Sequence, residues 1–172
     1  MKIGIVAGSF DPVTNGHTWL IGEGAKLMHK LYVVIGVNPS KKSMFSPDER
    51  KALLEETLRL ELPPEDFAKV RLKFLKRELL INFATEKKAH YIFRGIRTTE
   101  DFNYEAQLLL VNRKISTDVE TLFMIPPREM TEISSSTVKG LVGFEGWEDV
   151  ARGYVSPPVL QALKSKEGES GP

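Results

Sequence analysis

Five short apolar runs, at residues 2–7, 31–37, 70–75, 91–93 and 119–125, are separated by stretches whose apolar residues recur with a helical period. The runs are nearly continuous rather than alternating, which is how a strand reads when both faces of its sheet are covered. Such strands, joined by segments long enough for a helical crossover, form a parallel sheet. The fold class that follows is doubly wound α/β. At 172 residues one domain can bury about 70% of the surface its unfolded chain exposes, so no disulfide or metal staple is needed. The expected domain covers residues 1–166, and residues 167–172 have the composition of a frayed tail.

The connecting helices can be placed in more detail. Leu20, Gly24, Leu27 and Met28 fall on one face of a helix over 16–29. Ser46-Pro47-Asp48-Glu49 offers a capping serine, a proline for the first helical position and a glutamate to close a capping box, so a helix runs from there to about residue 60. Further helices are expected over 78–88, 99–113, 135–142 and 157–166, and Leu62-Pro63-Pro64-Glu65 reads as a loop.

Composition excludes several chemistries. There is no cysteine, which removes disulfides, thiolate metal sites and thiol nucleophiles. The 24 Lys+Arg nearly balance 23 Asp+Glu, so no overall charge argues for nucleic acid or membrane as a partner, and no apolar run approaches a membrane span. The chain reads as soluble and cytoplasmic. Gly22-Glu23-Gly24 continues to Leu27 where a dinucleotide fingerprint needs glycine, and the P-loop pattern is absent. Of the three histidines, His29 and His90 stand beside lysines in positions that read as solvated, so catalytic zinc is not expected.

In an open α/β sheet, ligands bind beyond the carboxyl ends of the strands. Four such junctions carry polar residues of a common type. The first is 8–17, a glycine-bearing turn that delivers His17 to the first turn of a helix, where free N–H groups and the helix dipole favour an anion. The second is Asn38-Pro39-Ser40-Lys41-Lys42, and the third is Arg94-Gly95-Ile96-Arg97, with Glu105 within reach on the following helix. The fourth is Ile133-Ser134-Ser135-Ser136, of which capping explains only one serine. Each junction alone has an ordinary explanation as a cap or a solvated loop. Together, at one sheet edge, they describe a polyphosphate site.

These segments also carry a resemblance. Gly8-Ser9-Phe10-Asp11-Pro12 with Thr14-Asn15-Gly16-His17 resembles the T/H-x-G-H signature of the nucleotidyltransferase superfamily, and Ile133-Ser134-Ser135-Ser136 resembles its second signature. The segment around Lys41-Lys42, Arg94-Gly95-Ile96-Arg97 and Asp101-Phe102-Asn103-Tyr104-Glu105 are similar, in the same order, to segments of the bacterial phosphopantetheine adenylyltransferases. The resemblance implies a Rossmann-like nucleotidyltransferase fold and transfer of AMP from ATP to 4′-phosphopantetheine. It implies catalytic roles for His17, Lys41 and Arg97. It places ATP against Ser9, Phe10, His17, Gly95, Ile96, Arg97, Glu105, Met130, Thr131, Glu132, Ile133, Ser134, Ser135 and Ser136, and the acceptor against Ser9, Lys41, Leu80 and Arg94. Met130 stands where many members carry an aromatic residue, and 59–69 is longer than usual. Mg²⁺ is expected on the ATP phosphates rather than in a protein cage. A homohexamer and coenzyme A as a feedback ligand are further implications. The alternatives are a sister enzyme adenylylating nicotinamide mononucleotide or cytidylylating a phosphorylated alcohol, and a non-catalytic nucleotide-binding module.

Overall fold

The computed structural model describes residues 1–38, 40 and 42–169. The chain begins with β1 (Ile3–Gly8), α1 (Asn15–Leu27), β2 (Lys30–Val37) and α2 (Pro47–Glu61). It continues with a one-turn helix α3 (Pro64–Phe67), β3 (Val70–Lys76), α4 (Leu80–Glu86), β4 (Tyr91–Gly95), α5 (Thr99–Ile115) and β5 (Glu120–Met124). A 3-10 turn (Arg128–Met130) leads to α6 (Ser135–Leu141), α7 (Trp147–Ala151) and α8 (Pro157–Glu169). All four strand pairings are parallel, in the order β3-β2-β1-β4-β5. The expected doubly wound α/β sheet is therefore the observed one. The chain builds outward from β1 to β3, then restarts on the other side of β1 with β4, which puts the topological switch point between the carboxyl ends of β1 and β4.

Successive side chains of a strand alternate between sheet faces, and the core divides accordingly. Val6, Leu31, Val33, Ile35 and Phe93 join Leu20, Ile21, Ala25, Leu54, Leu58 and Leu163 on one side. Ile3, Ile5, Val34 and Ile92 join Ile81, Phe83 and Ala84 of α4 on the other. Gly4 is required by close approach: a Cβ there would lie 2.7 Å from Phe93 Cε2 and 2.8 Å from Met28 Cγ. Both of those side chains are buried. Gly4→Ala should therefore lower stability by about 1–3 kcal/mol through overpacking, read as a thermal midpoint about 2–4 °C lower per kcal/mol. An unchanged midpoint would mean the strand yields freely.

The capping box at Ser46 forms as expected: Ser46 Oγ accepts the Glu49 N–H at 3.2 Å, and Glu49 Oε2 accepts the Ser46 N–H at 2.6 Å. The buried face of α1 keeps Leu20, Gly24 and Met28 of the expected stripe and adds Ile21 and Ala25, whereas Leu27, at the helix end, is 55% exposed. The segment expected as a loop at Leu62-Pro63-Pro64-Glu65 enters α3 at Pro64, with proline in the first turn. The helix expected to stop at 166 continues to Glu169, and Glu167 accepts from Trp147 Nε1 at 3.2 Å.

Candidate active site

The β1–α1 turn is fastened from three directions. Arg50, a buried residue of α2, donates from Nη1 to the carbonyls of Ser9 (2.7 Å) and Gly36 (3.1 Å). The Asp11 carboxylate accepts the backbone N–H groups of Met44 and Phe45 and the Lys139 ammonium. Ser135 Oγ donates to the Pro12 carbonyl at 2.8 Å. Phe10 occupies the left-handed region, φ 48°, which is uncommon for an aromatic residue. Its ring is buried and meets the His17 ring edge-on at 5.1 Å between centroids.

That turn presents His17 in a defined state. Its Nδ1 accepts the Thr14 backbone N–H at 3.0 Å, the reciprocal half of a capping box at the start of α1. With Nδ1 engaged as an acceptor, the neutral ring carries its proton on Nε2, a tautomer assigned from the hydrogen bond. Burial, and to a lesser extent the nearby Arg97 charge, together lower the imidazole pKa from 6.5 to about 4. His17 is thus a neutral donor at physiological pH.

Between pH 4 and 6.5 the unfolded chain holds a proton on His17 that the folded chain does not, so its contribution to stability is complete above 6.5 and is lost as pH falls toward 4. Denaturant midpoints of the wild type should therefore fall more steeply across that window than those of His17→Gln. Parallel curves would contradict the shift.

A cavity of about 290 Å³ opens at the switch point. Ala7 and Gly8 from the end of β1, Phe93, Arg94 and Gly95 from the end of β4, and Thr14, Gly16 and His17 from the first turn of α1 line it. Asp101, Tyr104 and Glu105 of α5 close one side, and Pro126, Met130, Ile133, Ser134 and Ser135 the other. His17 and both arginines therefore share one pocket although about 80 residues separate them in sequence.

The arginines are held by α5. Arg94 donates from Nη1 to the Ala7 carbonyl at 3.0 Å and pairs through Nη2 with Glu105. Arg97 donates from Nε to Asp101 Oδ2 at 3.0 Å and from Nη1 to the Ile133 carbonyl at 3.0 Å. Asp101 and Glu105 stand four residues apart, so one helix face supplies both carboxylates. The three serines are placed differently. Ser134 Oγ caps α6 by accepting the Thr137 N–H at 3.0 Å, Ser135 reaches Pro12, and Ser136 is exposed outside the cavity wall.

Not every residue singled out from the sequence lines the cavity. The Phe10 ring stands behind His17, Ser9 is exposed with its carbonyl on Arg50, and Ile96 donates its N–H to the Met124 carbonyl. Thr131 Oγ1 donates to the Arg128 carbonyl, and Glu132 is exposed. Leu80 packs against the apolar cluster on the α4 side of the sheet. Lys41 lies outside the described residues. Conversely, Asp11, Arg50, Lys139 and Asp101 organise the site without having been singled out for it. Only Asp101, four residues after Arg97, carried a readable signal.

The likeness to known proteins agrees with this geometry. The family described as cytidylyltransferase-like matches residues 5–141. The phosphopantetheine adenylyltransferase of Chromobacterium violaceum is 46% identical over 169 residues, spanning 98% of this chain and 99% of that protein. The protein of the same name from Alkaliphilus metalliredigens is 38% identical, spanning 96% and 99%. Among solved structures, nicotinic acid mononucleotide adenylyltransferase of Plasmodium falciparum complexed with NaAD superposes with a TM-score of 0.70 at 17% identity, covering 95% of each chain, which bears on the fold alone. With well over half its length inside the family match and near-complete coverage of relatives at these identities, the chain belongs to the phosphopantetheine adenylyltransferases of the cytidylyltransferase-like family.

Proposed function

We propose that this chain transfers the adenylyl group of ATP to 4′-phosphopantetheine, giving dephospho-coenzyme A and pyrophosphate in coenzyme A synthesis. The observation that carries the reading is the convergence of His17, Arg94 and Arg97 on one cavity at the switch point. The curated relatives named for this activity support the substrate pair.

The reaction suits a site without a general base. A phosphate monoester is already an anionic nucleophile near neutral pH, so nothing need deprotonate it before it attacks the α-phosphate. The requirement is in-line placement of two polyanions that repel each other, with donors aimed at the charge of the transition state. In this reading Arg94 faces the acceptor phosphate. Arg97, tied to the 130–136 segment through Ile133, faces the triphosphate. The Nε2–H of His17 donates to the transferring phosphoryl group, and Lys41 adds a further cation by family resemblance. Gly95, Met130 and Ile133 form the nucleotide wall.

Mg²⁺ enters this scheme as a companion of ATP, held by phosphate oxygens and water. Among the described residues no group of three or more His, Asp or Glu side chains is placed to hold a metal, and Asp101 and Glu105 are already engaged by the arginines. The donor set does not fit a protein cage.

The working form in this reading is a homo-oligomer, a hexamer by family resemblance. None of the 17 residues of α5 is buried, and Leu110 is 63%, Val111 53% and Ile115 46% exposed, a surface suited to contact between copies. No described helix is long and apolar enough to cross a membrane. We place the chain in the cytoplasm, with coenzyme A as a product-like competitor. Pyrophosphate release with ATP and 4′-phosphopantetheine, compared with nicotinamide mononucleotide as acceptor, tests the activity. Turnover with the latter alone would overturn the assignment. Sedimentation tests the assembly, and a monomer at working concentration would remove the hexamer.

A further inference from the structure

We propose that Asp11 is a positioning residue for adenylyl transfer, setting the spacing between the segment that follows β2 and the α6 helix on either side of the His17 turn. This rests on the functional reading above. Asp11 is 4% exposed and does not line the cavity, so it is not a contact to substrate. Its Oδ1 accepts the Phe45 N–H at 2.9 Å, and its Oδ2 accepts the Met44 N–H at 3.1 Å and Lys139 Nζ at 3.0 Å. None of the three donors comes from its own turn. One belongs to α6 and two to the segment before α2.

The residues on either side of Asp11 make the same kind of connection. Pro12 receives Ser135 of α6 on its carbonyl, and Ser9 receives Arg50 of α2. Asp11 is therefore the central knot of a turn that joins the β2–α2 side to the α6 side six residues before His17.

An ion pair to a buried carboxylate is a poor device for stability, because desolvation consumes most of its Coulomb energy and apolar side chains of equal volume often do as well. Its value here is geometric. Burial alone would raise the carboxyl pKa, but the Phe45 N–H, the Lys139 ammonium and the Met44 N–H outweigh it and hold the group below its ordinary value. The Asp11 carboxylate is thus ionised at neutral pH, with both oxygens engaged. Transfer between two bound phosphates depends on their alignment, and a misplacement of about 1 Å costs on the order of 10²-fold in rate.

The test uses the full chain, with Asp11→Asn, Lys139→Met and the double variant assayed by pyrophosphate release. Asp11→Asn should lower kcat by about 10- to 100-fold while both KM values stay within about 3-fold, because each subsite survives and only their alignment is lost. Lys139→Met should cost less, about 3- to 10-fold. The double variant should be no worse than Asp11→Asn alone, as expected for two groups acting through one contact. A folded Asp11→Asn with wild-type kcat overturns the proposal, as does a loss confined to thermal stability or a KM rise that matches the fall in kcat. Should Asp11→Asn fail to fold, Lys139→Met decides, and wild-type kcat there is equally fatal. Absence of turnover by the wild type would sink the functional reading instead. Amide hydrogen exchange at Met44 and Phe45, which both variants should accelerate, would then still judge the knot, and unchanged exchange would overturn it.

Discussion

Replacing His17 with alanine is expected to lower kcat by about 10² to 10³ with little change in the KM for ATP, the magnitude found when a single preorganised transition-state donor is removed. The reason lies in how the ring is held. Its Nδ1 is committed to the Thr14 N–H and its ring packs against Phe10 in a T-shaped contact, so the Nε2–H has a fixed direction. A donor fixed before the substrate arrives pays no reorganisation when charge develops on the phosphoryl oxygens. Because burial and Arg97 hold its pKa near 4, the ring neither gains a proton nor changes role between pH 5 and 8. The kcat profile should therefore show no limb from this residue in that range. The fold should survive, since the contacts to Thr14 that are lost belong to a single helix cap, worth about 0.5–2 kcal/mol. Circular dichroism and the thermal midpoint check that point, and a folded variant with undiminished kcat would remove His17 from the mechanism.

The features legible in the sequence are those that period and position encode. Continuous apolar runs announced a parallel sheet, and a parallel sheet announces that its chemistry lies beyond the carboxyl ends. Three of the four polar junctions do line one cavity, at the ends of β1, β4 and β5. The connections between junctions were not legible. Asp11 reads as an ordinary turn aspartate, and nothing in its neighbourhood reveals that its donors sit 33, 34 and 128 residues away. The packing of the Phe10 ring against His17, in a turn with positive φ, is likewise something no residue pattern records. The helix α7 escaped notice because its five residues lie between Gly146 and Gly153, too short a span for a helical period to emerge. A helical period alone does not divide the apolar residues of α5 between core and interface, and none of them is buried.

Arg94→Ala and Arg97→Ala are expected to divide the two substrates between them. A charge-assisted hydrogen bond is worth about 1.5–3 kcal/mol, so Arg94→Ala should weaken 4′-phosphopantetheine binding by about 10- to 100-fold and ATP binding by less than about 3-fold, with Arg97→Ala showing the opposite preference. The geometry gives the division its basis. Arg94 is anchored to the end of β1 through the Ala7 carbonyl, whereas Arg97 is anchored to the 130–136 segment through Ile133. Removing Arg94 also leaves the Glu105 carboxylate, only 11% exposed, without its partner, and that repels any phosphate brought near it. The double variant Arg94→Ala/Glu105→Gln separates the two effects. It should recover the stability lost by Arg94→Ala, and the part of the acceptor affinity lost to repulsion, while the part due to the missing guanidinium stays lost. Full recovery of acceptor binding in the double variant would mean that Arg94 serves only to neutralise Glu105, and calorimetric titrations with the reverse substrate preference would exchange the roles of the two arginines.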